Sequence, residues 1–186
     1  MAGMSSHDIL TGQLFETSKA ILGVDRMDVM SVVGVLKEAR DRKSFVWLIG
    51  NGGSAATVSH FANDLEKVCG IRAVPLPELT STITAYGNDN GWSRMFADAL
   101  DGYAGPEDVL VIFSCSGFSE NVIEAAFRWW AKTRTLLIFT GNNRDSKLLQ
   151  SASAEAVIFV EHPDIMVQET VHLALCHAIV HILKEI

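Results

Sequence analysis

Four short apolar runs, separated by helical stretches, constrain the fold more than any other feature of the chain. They are Phe45-Val46-Trp47-Leu48-Ile49, Val109-Leu110-Val111-Ile112-Phe113, Leu136-Leu137-Ile138-Phe139 and Ala156-Val157-Ile158-Phe159-Val160. A strand with one face in water alternates apolar and polar residues. These runs are apolar at successive positions, which suits strands buried on both faces, as in a parallel sheet. Ile71-Arg72-Ala73-Val74, closed by Pro75 and Pro77, is a weaker fifth strand. Helices are predicted over 54–69, 79–87, 92–101, 119–132 and 145–151, with a long last one from about 165 to 186. Parallel strands need crossovers, and these helices supply them. The expected fold is α/β: a three-layer, doubly wound domain around a mainly parallel sheet of about five strands.

The first 43 residues have a different pattern. Ile9, Leu10, Leu14, Phe15, Ile21 and Leu22 make one helical apolar set, and Met27, Val29, Met30, Val32, Val33 and Leu36 make a second. Gly23 and Asp25 separate them, with Asp25 placed to cap the second helix. No linker or repeat interrupts the 186 residues, so the reading is one domain over 1–186 with an N-terminal helical extension over 1–43.

Composition removes several functions. Hydrophobic residues make up 48%, ample for a core, and the formal charge of −7 with no Lys/Arg run argues against nucleic acid as a partner. Cys69, Cys115 and Cys176 are odd in number and far apart, indicating neither a disulfide scaffold nor a thiolate zinc site. No run approaches ~18 consecutive apolar residues, and no basic segment precedes an apolar one at the start. A cytoplasmic protein without a membrane partner is expected.

In doubly wound sheets, ligands sit outside the carboxyl ends of the strands. Two strands here end in unusual sequence. The first enters Gly50-Asn51-Gly52-Gly53-Ser54, where glycines let backbone N–H groups approach a ligand and Ser54 sits at or near the N-cap of the next helix. The second enters Ser114-Cys115-Ser116-Gly117-Phe118-Ser119, three hydroxyls around one glycine turn at a helix start. Either alone is a tight turn or a cap. Together they describe an anion site without a basic side chain, suited to a phosphate monoester. No Lys follows the first loop, and GNGGSA is not GxGxxG, so a small phosphorylated metabolite fits better than a nucleotide.

Proton-moving or metal-binding groups fall on two helices. His60 and Asp64 are four residues apart, on one face of helix 54–69, and are expected to sit deeper than Ser54. The last helix is apolar on most sides, including a stripe of Val167, Val171, Leu175, Ala178, Ile182 and Ile186, yet carries Gln168, Glu169, His172, His177 and His181. Buried polar groups need partners. Glu169 and His177 share one broad face, and a different helix rotation presents Gln168 and His172 instead.

At GNGGSAATVSHFANDL, LTSTITAYGNDNGW, SCSGFSENVIEAA and QETVHLALCHAI the sequence resembles the sugar isomerase (SIS) domain family, in its phosphoheptose isomerase branch. The resemblance implies the SIS fold and aldose–ketose isomerisation of a phosphosugar such as sedoheptulose 7-phosphate, in a homotetramer. It places phosphate contacts on Ser114, Cys115 (backbone amide), Ser116, Ser119 and Ser54, and sugar contacts on Asn51 to Gly53, Asn88, Asp89 and Glu169. A zinc site falls on His60, Asp64, Glu169 and His177, with Asp64 and His177 as acid/base pair. Three features depart from the family pattern: Asp64 stands for a usual Glu, Glu169 for a frequent Gln, and residues 161–167 (EHPDIMV) differ from the usual approach to the last helix, which leaves open whether Asp164 is the sugar-contacting Asp. The family also admits non-catalytic members that bind a phosphosugar or a replication-initiator protein.

Overall fold

The computed structural model describes residues 5–132 and 134–186; residues 1–4 of the expected extension lie outside the described residues. Two helices open the chain, α1 (Ser6–Leu22) and α2 (Arg26–Arg42), each started by the side chain of the preceding residue. Ser5 forms a capping box with Asp8, and Asp25 accepts from the Met27 N–H. The α/β body follows as β1 (Val46–Gly50), α3 (Gly53–Cys69), β2 (Ala73–Pro75), α4 (Thr80–Asn90), α5 (Met95–Tyr103), β3 (Val109–Ser114), α6 (Glu120–Ala131), β4 (Leu136–Thr140), α7 (Lys147–Ser151), β5 (Ala156–Phe159) and α8 (Ile165–Glu185). Short 3₁₀ turns at Leu76–Glu78 and Trp92–Arg94 enter α4 and α5.

All five strands are parallel, in the order β2-β1-β3-β4-β5. The weak fifth strand forms two residues later than its sequence suggests and includes Pro75, which an edge strand tolerates because one side of its ladder faces no partner. Successive strand residues serve opposite layers. Val46, Leu48, Val109, Val111, Phe113 and Phe139 pack with α2, α3 and α8, while Trp47, Ile49, Leu110, Ile112 and Ile138 pack with α5, α6 and α7. That double burial is the physical reason the runs carry no polar alternation.

Helix α8 is long and apolar enough to cross a membrane by length and composition, but here its inner face is core: Val167, Val171, Cys176, Ile179 and Leu183 are buried beside α3 and the sheet. The apolar stripe read from sequence needs correcting. Ala178 and Ile186 face outward and Ile182 is half-buried, whereas Val167, Val171 and Leu175 are buried as expected, joined by Gln168, His172, Cys176 and Ile179.

At the opposite end of the sheet, buried Asp108 ties the start of β1 to the loop that enters β3. Its carboxylate accepts from the Phe45 N–H (2.9 Å), the Trp47 indole N–H (2.9 Å) and the Gly105 N–H (2.8 Å). Asp108→Ala leaves those donors without their acceptor, so a loss of about 3 kcal/mol in unfolding free energy is expected from urea titration. A midpoint equal to wild type would show that water replaces the carboxylate freely.

Candidate active site

The chain leaves β1 toward β2 on one side and passes from β3 toward β4 on the other, so the crevice between the carboxyl ends of β1 and β3 is the switch point of the sheet. A cavity of about 140 Å³ lies there, lined by Asn51, Ser54, Ser114, Cys115, Ser116, Ser119 and Glu169, with Phe113 and Ile165 as apolar walls. Its size suits a phosphate group.

Backbone conformation shapes this cavity. Gly52 caps α3 at φ +54°, a conformation open to glycine, and a Cβ on Gly53 would collide with the Glu169 carboxylate. Helix α3 therefore begins one residue before the expected start, and Ser54 lies in its first turn rather than at the cap. Ser119 is the N-cap of α6, but its hydroxyl makes no capping bond and lines the cavity. Ser114 Oγ accepts from the Gly117 N–H (3.3 Å) and Ser116 Oγ from the Phe118 N–H (3.2 Å), which leaves both hydroxyl protons to donate. No Lys or Arg lines the cavity among the described residues. Positive potential comes from the N-termini of α3 and α6.

Beneath the β3 loop lies a buried layer. The His172 Nε2–H donates to the Thr140 carbonyl (3.3 Å), leaving Nδ1 to face the Cys115 thiol at 3.9 Å. The ring meets Phe113 and Phe139 edge-on. Burial lowers the His172 pKa to about 4, against the opposing pull of the Thr140 carbonyl, so the ring is neutral at pH 7. Burial likewise pushes the Cys115 thiol up to about 11, with the Glu169 carboxylate adding and a hydrogen bond from Ser54 opposing. Gln168 is buried too, donating to the His162 carbonyl at 2.5 Å. Of the two rotations left open by the sequence, neither pair faces the cavity as a unit: Gln168 and His172 are buried, Glu169 lines the cavity and His177 is exposed.

The second cluster lies where α3 and α8 run side by side. His60 Nε2 is 2.9 Å from His177 Nε2, and Asp64 Oδ2 is 3.2 Å from His60 Nε2 and 3.9 Å from His177 Nε2. Two expectations change here. The cluster is not deeper than Ser54: the His60 and His177 side chains are 50% and 49% exposed, because this face of the helix pair looks outward. Glu169 is also not one of the three residues whose donor atoms converge, since it lies two helical turns away over Gly53. Asn88 and Asp89, at the exposed end of α4, hydrogen-bond to each other at 2.8 Å and do not line the cavity.

Residues 15–134 match the family model described as the SIS domain. The chain belongs to the SIS-domain family. This SIS-domain protein is 30% identical over 175 residues to the phosphoheptose isomerase of Aquifex aeolicus, covering 91% of this chain and 90% of that one. The structure of the Neisseria gonorrhoeae phosphoheptose isomerase aligns with a TM-score of 0.88 at 26% identity, over 98% of this chain and 100% of that chain. The Francisella tularensis phosphoheptose isomerase structure aligns over the same shares with a TM-score of 0.90 at 21% identity, a likeness of fold.

The SIS-domain site also includes a residue to which the sequence reading assigned no role. Asn121, in the first turn of α6, exchanges two hydrogen bonds with Asn51 (2.9 and 3.0 Å). An asparagine two residues past a Ser N-cap reads as an ordinary first-turn residue, and a contact 70 positions away leaves no trace in local pattern.

Proposed function

We propose that this protein is a cytoplasmic phosphosugar aldose–ketose isomerase that converts sedoheptulose 7-phosphate to glycero-manno-heptose 7-phosphate. One observation carries the reading: an anion cavity and a His/Asp cluster share the helix pair α3 and α8. Along α3, Ser54 and His60 are about 9 Å apart by helical rise, and along α8 Glu169 and His177 about 12 Å. That separation suits an extended sugar phosphate held by its ester at one end and reacting at the other. The kinship with phosphoheptose isomerases supports this choice of substrate.

In this mechanism Ser54, Ser114, Ser116 and Ser119 donate to the phosphate, and the Cys115 backbone amide adds a further donor. Binding energy gathered there orients carbons 1 and 2 at the other cluster. Asp64 and His177 divide the proton transfer, one abstracting the proton and the other protonating the neighbouring oxygen through a cis-enediol. Two imidazole nitrogens and one carboxylate oxygen form a donor set that fits a divalent ion such as zinc at His60, Asp64 and His177. Such an ion supplies polarisation of the substrate carbonyl.

Sedoheptulose 7-phosphate turnover, within a panel of sugar phosphates and with and without zinc, tests the reading. Ser116→Ala is expected to raise KM by about 10- to 100-fold, the worth of one hydrogen bond to a charged group. An unchanged KM, or no turnover of any sugar phosphate by the wild type, sinks the isomerase reading, while full activity after exhaustive chelation removes zinc alone.

A homotetramer belongs to the same proposal. Helix α1 has no buried residue, and Ile9, Leu10, Leu14 and Phe15 stand in solvent in the isolated chain. Removing residues 1–22 is expected to lower the oligomeric state on gel filtration, and an unchanged elution volume counts against assembly through α1.

A further inference from the structure

We propose that Asn121 is a positioning residue, which locks the Asn51 side chain in the cavity wall and so couples the two anion-binding loops. The inference rests on the phosphosugar reading above and adds to it a residue that touches no substrate. Asn51 directly follows β1 and lines the cavity. Asn121 follows the β3 loop, with no exposed surface of its own. Their amides form a closed pair, each donating to the other at 2.9 and 3.0 Å.

The chemistry of an amide pair gives this contact its consequence. A buried carboxamide without partners costs free energy, whereas an aliphatic side chain of similar size would fill the space at no such cost. The pair satisfies one N–H and the oxygen of each residue, and it stops the Asn51 amide from rotating about its last torsion. What remains of Asn51 for hydrogen bonding is then held at the cavity wall beside Ser54 and Ser119. The pair also bridges the first turn of α6 to the turn that starts α3. The two helix N-termini aimed at the anion are thereby kept in one register, without a charged residue in the cavity.

The test is a double-mutant cycle with Asn51→Ala, Asn121→Ala and both together. It is read as KM and kcat for sedoheptulose 7-phosphate, and separately as affinity for inorganic phosphate from the rise in Tm on adding it. Each single variant is expected to raise KM and weaken phosphate binding by about three- to tenfold, with kcat within about twofold of wild type. The double variant is expected to be no worse than Asn51→Ala, because Asn121 acts only through that residue. Losses that add in full, or an Asn121→Ala protein that binds and turns over like wild type, overturn the assignment. Should Asn121→Ala fail to fold, Asn121→Asp keeps the shape and removes the donor, and the same cycle is run with it. Wild-type protein that binds phosphate with this coupling yet turns over no sugar phosphate would sink the isomerase reading and leave the clamp standing.

Discussion

His177→Ala is expected to lower kcat for sedoheptulose 7-phosphate by about 10²- to 10⁴-fold, the usual worth of a positioned acid or base. KM should change little. The cavity that holds the phosphate lies about 12 Å away along α8, judged from helical rise, and none of its lining residues contacts His177 through a hydrogen bond. Asp64→Asn should give the same pattern, since it removes the basic oxygen that faces both imidazoles while keeping its shape. Ser116→Ala should show the converse, a raised KM with a smaller effect on kcat. Steady-state kinetics, together with exchange of solvent deuterium into the sugar at carbon 2, separate the two outcomes. Full turnover and full exchange in His177→Ala would remove the proton-transfer role from this cluster, although the cavity would still bind an anion.

The second large effect concerns acid stability. His172 is held neutral by burial, with a folded-state pKa of about 4 against an ordinary value near 6.5. Between those values the unfolded chain binds a proton that the folded chain does not. Unfolding is therefore favoured as the pH falls through this window, and the contribution of His172 is complete only above about pH 6.5. Lowering the pH from 7.5 to 4.5 should cost about 2–3 kcal/mol through this one residue. His172→Gln retains a donor for the Thr140 carbonyl and does not titrate, so its urea midpoint should fall less over the same interval. Equal acid slopes in the two proteins would mean that His172 takes up its proton without unfolding. Because His172 also lies against Cys115, acid should loosen the β3 loop and weaken phosphate binding in the same pH window.

Much of this molecule could be read along the chain. The four apolar runs became strands: β1, β3 and β4 are buried at every position, as their composition implies, whereas the edge strand β5 alternates buried and half-buried residues, and α3, α6 and α8 begin within a residue of the expected starts. The serine loop and the glycine turn met at one cavity as their placement after two strands implied. The His60–Asp64 pair follows directly from helical spacing. The role of Asp108 is not legible in sequence, since a carboxylate before a strand looks like a turn residue until its two donors from the β1 segment, more than sixty residues away, are seen.

What the sequence by itself determined is local: which stretches are helix or strand, which loops can face an anion, and which histidines share a helix face. These depend on torsional preference and periodicity within a few residues. Only the tertiary structure decided the rotation of α8, which buries Gln168 and His172, sets Glu169 over Gly53, and leaves His177 beside His60 in the open. The same holds for the pairing of Asn51 with Asn121. An apolar helix with polar residues on several faces has no single amphipathic solution. Its rotation is chosen by the packing of α3 and the sheet against it, through contacts more than a hundred residues apart in the chain.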